Sequence, residues 1–88
     1  MTFGRWLRER REERALTRGQ ALLAVRVEMA RDGSSWMPTI RAWRSWELDT
    51  SYPKVAALVA IGRVFQTTVE DMPRASAREW QQGQGAKR

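Results

Sequence analysis

Arg41 and Arg44 stand one helical turn apart with Ser45 beside them, and Trp43 and Trp46 repeat at the same spacing out of phase with the arginines. On a helix that starts near Thr39, the two arginines and the serine share one face and the two indoles share the opposite one. A guanidinium is a planar fork that matches phosphate oxygens and the O6 and N7 acceptors of guanine, so the outward face has the chemistry to read a nucleic acid. The plainer reading is a pair of ordinary solvated helix residues. Few other chemistries are open. The chain has neither cysteine nor histidine, which excludes disulfides, thiol nucleophiles, the usual general base and the commonest zinc ligands. The carboxylates Glu47, Asp49, Glu70 and Asp71 have structural uses as caps or ion-pair partners, so the sequence predicts no enzyme, no metal site and no cofactor.

The charge balance points the same way without deciding the matter. Sixteen Lys plus Arg against ten Asp plus Glu leave +6, and fourteen of the cations are arginine. A polyanionic partner is one explanation and a solvated, arginine-rich surface is another. Along the chain, residues 1–31 carry +4, 32–53 carry −1, 54–72 balance, and 73–88 carry +3. The basic character therefore lies at the two ends, and any contact made from the middle has to be specific.

The elements that must position these residues are helical. Eighty-eight residues suffice for one domain, since chains this short bury only about 60–68 % of their unfolded surface. Phe3, Trp6 and Leu7 predict a first helix over 3–14. Thr17 is a good N-cap for a second over 18–31, although Val25 to Met29 also alternates like a strand. Asp32-Gly33-Ser34-Ser35 reads as a turn, Pro38-Thr39 as a stiff approach and cap, and a third helix is expected over 39–48. Tyr52-Pro53 opens a fourth over 53–65, and Thr67 or Thr68 caps a last short helical turn, 69–72, which Pro73 stops. The domain is expected to span 1–73, with 74–88 a mobile or partner-docked basic tail. No apolar run approaches the ~20 residues a bilayer needs, and no basic-then-apolar signal region opens the chain, so a soluble cytoplasmic protein without a membrane partner is expected.

Gly4, Leu7-Arg8, Arg11 and Leu16-Thr17 are followed by Trp46-Glu47-Leu48-Asp49 with Pro53, and then by Val64-Phe65-Gln66-Thr67-Thr68-Val69-Glu70-Asp71-Met72. In this order the residues resemble the lambda-repressor and Cro (XRE) family of helix-turn-helix proteins over most of 3–72. The interval from Trp46 to Pro53 fits the family pattern without a gap. The interval from Leu16 to Trp46 is about ten residues longer, an insertion expected to lengthen the second helix and the turn across 25–36. Asp49 stands where the family prefers glycine, Arg10 replaces an apolar residue, and Trp43 occupies a usual isoleucine position.

The resemblance implies an all-α, five-helix lambda-repressor-like domain whose third helix enters the major groove of double-stranded DNA. It implies base reading by Arg41, Arg44, Ser45 and Ile40, and phosphate contacts from Thr39, Arg18, Gln20, Thr50, Ser51 and Lys54. Arg11 and Glu47 correspond to a structural pair joining the first and third helices. Trp6, Trp43 and Trp46 are expected in the core. Trp36 and Trp80, which no local periodicity buries, are expected with Met72 at a dimer interface. The function implied is a homodimeric transcriptional repressor with no small-molecule ligand. The alternative is a protein-interaction adaptor, antitoxin-like or anti-defence, on the same fold.

Overall fold

The computed structural model describes residues 1–74. They form four α-helices, α1 Phe3–Glu13, α2 Arg18–Arg31, α3 Ile40–Glu47 and α4 Val55–Phe65, followed by a 3₁₀ turn at Val69–Asp71, with no strand among the described residues. The all-α expectation holds and the fifth helix does not. Three residues ahead of Met72 and Pro73 are too few to offset the cost of nucleating an α-helical ladder, so the chain closes a single tighter turn. Thr68 stands at the N-cap position as expected, but its hydroxyl donates to Asp71 Oδ2 at 2.9 Å instead of accepting from a backbone amide. No helix is long and apolar enough to cross a membrane among the described residues.

Local sequence explains where each helix starts. Thr2 caps α1 by accepting from the Arg5 amide at 3.2 Å. Thr17 and Gln20 form a reciprocal capping box: the Gln20 amide donates to Thr17 Oγ1 at 3.1 Å, and the Thr17 amide donates to Gln20 Oε1 at 2.9 Å. Thr39 caps α3 by accepting from the Ala42 amide at 3.1 Å. Lys54 precedes α4 without a side-chain cap, and the expected ranges 39–48 and 53–65 are each longer than the helix because they took in these flanking residues.

Val25 to Met29 is helical. Leu22, Val25 and Met29 are buried on one side of α2 while Leu23 and Val27 stay exposed, and this shared buried stripe prevails over the local alternation. Residues 25–31 form the last turns of α2, and 32–36 belong to the connection that follows. That connection is tied down at several points. Arg26 Nε donates to the Pro38 carbonyl at 2.9 Å, Ser34 Oγ donates to the Trp36 carbonyl at 2.8 Å, and Arg63 of α4 pairs with Asp32.

Packing sets α1 against α3, and α2 against both α3 and α4. Trp6, Trp43 and Trp46 are all buried, with Phe3, Leu7, Met29 and Ile61. Trp43 is wholly enclosed, and burying an indole of roughly 200 Å² stabilises the fold by about 5 kcal/mol before ordering costs. Gly4 lets α1 lie directly on the end of α3, since a Cβ there would fall 2.5 Å from the carbonyl oxygens of both Trp46 and Glu47. Asp49 adopts the left-handed conformation (φ 58°), and its carboxylate accepts from the Gly4 amide at 2.9 Å. The aspartate therefore supplies a cap for α1 that a glycine lacks.

Candidate nucleic-acid interface

The outward face of α3 is held from behind by one carboxylate. Glu47 Oε2 accepts from Arg11 Nε at 2.7 Å and from Trp43 Nε1 at 2.7 Å, and Oε1 accepts from Arg11 Nη2 and Arg18 Nε, each at 3.0 Å. The Glu47 side chain is 1 % exposed and that of Arg11 11 %. Burial pushes the carboxyl pKa up, but hydrogen bonds from Arg11, Trp43 and Arg18 outweigh it and hold the group below its ordinary range. The Arg11 pKa is raised, chiefly by its bond to Glu47. Arg11 also donates to the Leu16 carbonyl at 2.9 Å, so a single cluster fixes α1, the start of α2 and α3 to one another. The pairing of Arg11 with Glu47 expected from sequence is present. Arg18, expected on a phosphate, is engaged with Glu47 through Nε, and its side chain remains 39 % exposed.

On the other side of α3, Ile40, Arg41, Arg44, Ser45 and Leu48 line one shallow surface depression. Arg41 and Arg44 are exposed, Ser45 is half-buried, and Trp43 and Trp46 point the opposite way, their rings 5.7 Å apart. The two arginines differ from nearly all the other described arginines; Arg74, at the end of the described residues, is exposed as well. Arg5, Arg8, Arg10, Arg11, Arg18, Arg31 and Arg63 pair with carboxylates, and Arg26 bonds the Pro38 carbonyl. Arg14 lies over the Phe65 ring at 5.1 Å. Among the described residues, Arg41 and Arg44 have no hydrogen bond or ion pair, and no acidic side chain stands between them on their helix. Two like charges one turn apart repel by a few tenths of a kcal/mol, so the arrangement has no value for stability.

The remaining residues expected on phosphate are engaged to different degrees. Thr39 uses its oxygen as the α3 cap, and the Gln20 carbonyl is committed to the α2 capping box, while each keeps its donor for another partner. The Thr50 hydroxyl donates to the Ser45 carbonyl at 3.2 Å, and Ser51 is half-buried. Lys54 is exposed but its ammonium sits 4.5 Å over the Trp36 ring. One expected interface residue is corrected: Met72 is 5 % exposed and belongs to the core. Trp36 is half-buried, packed against that core beneath Lys54. Trp80 lies outside the described residues. Leu48 was not foreseen. It is 66 % exposed, and its place one turn beyond Arg44 was the available signal.

Comparison with known protein families, curated proteins and solved structures finds no match to this chain.

Proposed function

We propose that the protein is a sequence-specific regulator that binds double-stranded DNA, with α3 entering the major groove and Arg41 and Arg44 reading guanine. The observation that carries this reading is the pair of exposed, unpartnered arginines on a helix whose opposite face is locked by two buried indoles and the Glu47 cluster. A helix so fixed presents its side chains in one orientation, which base reading requires. Thr39, Gln20, Ser51 and Lys54 keep side-chain donors for phosphate contacts, as Arg18 does in its Nη groups, and such contacts fix register without reading sequence. An eight-residue helix is about 12 Å long, enough for three to four base pairs. Two copies on successive major grooves, about 34 Å apart on a near-palindromic operator, extend that short site to a useful length. This makes the protein a homodimeric repressor of its own or a neighbouring operon.

Fluorescence anisotropy on the duplex immediately upstream of the gene, across a salt series, tests the reading. Affinity falls steeply with salt as counterions are released, and Lys54→Ala weakens binding to all sequences alike while reducing the salt slope by about one. Salt-insensitive binding, or no binding to any duplex, contradicts it. The second reading, a protein-binding adaptor, draws on Leu23 and Val27, exposed one turn apart on α2. It requires a partner protein whose binding Leu23→Asp abolishes while DNA affinity is unchanged.

A further inference from the structure

The unpartnered arginines are bracketed by two exposed aliphatic side chains. Ile40, Arg44 and Leu48 follow one another at four-residue intervals along one ridge of α3, with Arg41 and Ser45 forming a second ridge beside them. Ile40 is 45 % exposed and Leu48 66 %, so each presents apolar surface that nothing in the described fold covers. A phosphate offers such side chains no apolar partner, whereas in a major groove the C5-methyl group of a pyrimidine does.

We infer that this face recognises guanine next to a C5-methylated pyrimidine, with an arginine fork on the guanine and Ile40 or Leu48 covering the neighbouring methyl group. The inference rests on the DNA-binding reading above and names the substrate class of the same site. The shared chemistry has two sources, thymine and 5-methylcytosine. Both put a methyl group at the same place on the groove floor, and they differ in the acceptor or donor at C4.

The test starts from a duplex selected out of a random-sequence pool by the full-length protein. Each thymine flanking a guanine is then replaced singly by deoxyuridine, which removes one methyl group and keeps every hydrogen-bonding group. Affinity is expected to fall about fourfold at one or two such positions, the effect of leaving one methyl group unburied. Ile40→Ala or Leu48→Ala removes that sensitivity at its own position while leaving discrimination against guanine replacements in place, with unchanged circular dichroism. Cytosine placed at the sensitive position binds more weakly than 5-methylcytosine if the methyl group is what is read, whereas equal binding of the two overturns the inference. Deoxyuridine without effect at every position likewise overturns it and leaves DNA binding standing. A pool that yields no enriched duplex removes both.

Discussion

Glu47 is the residue on which the orientation of α3 depends. Its carboxylate is enclosed and takes four hydrogen bonds from three side chains, so removing it leaves Arg11 buried without a counter-charge and Trp43 without an acceptor. Glu47→Ala is expected to cost about 3–5 kcal/mol in urea unfolding. The pH dependence has a definite sign. The folded carboxyl titrates below its ordinary value near 4.5, so its contribution is complete above that pH and is lost as pH falls through the depressed folded value. Urea midpoints measured from pH 7 to pH 3 therefore drop more steeply for the wild type than for Glu47→Gln below about pH 4.5. Parallel acid limbs in the two proteins contradict the role given to the carboxylate. The sequence made the Arg11–Glu47 pair legible through the family pattern, but the Arg18 and Trp43 donors were not. Arg18 meets Glu47 across 29 positions of chain, a separation over which neither periodicity nor spacing carries information.

At the scale of elements, capping chemistry explains why so much of α3 was readable. Thr39 sets the start of the helix, and the start sets the phase, so the division between the guanidinium face and the indole face followed from spacing alone. The last turn was overread because Val69-Glu70-Asp71-Met72 has helical composition but too little length. The partial cover of Trp36 has no local signal for a related reason: it comes from Lys54, which stands beyond α3. Helix ends offer a direct test. Gln66 terminates α4 in the left-handed region (φ 56°), where a non-glycine residue is strained by about 1–2 kcal/mol, whereas glycine gives back part of that gain in unfolded-state entropy. Gln66→Gly should raise stability by roughly 0.5–1 kcal/mol, seen as a higher urea midpoint with an unchanged slope. A lower midpoint would mean that the Gln66 side chain contributes more than its backbone costs.

For the molecule as a whole, the charge is distributed so that most arginines serve the fold. Among the described residues, pairing with glutamates along α1 spends much of the N-terminal charge on surface contacts worth little to stability, and the unpaired Arg41 and Arg44 stand together on α3. Met72 lies in the core and Trp36 is half-buried, so the proposed pairing of two copies is tested by mass. Light scattering on the operator-bound protein should report two copies of the 10.2 kDa chain per duplex. A single copy, independent of concentration, contradicts the two-fold arrangement.

The central claim is that the exposed face of α3 reads base edges, and one ratio tests it most directly: affinity for the selected operator over affinity for a scrambled duplex, at one fixed salt concentration, for the wild type and Arg44→Ala. Loss of one bidentate contact to guanine should lower that ratio by about 5- to 150-fold, corresponding to roughly 1–3 kcal/mol, with the circular dichroism spectrum unchanged. An unaltered ratio in a folded Arg44→Ala protein would show that α3 does not read the duplex.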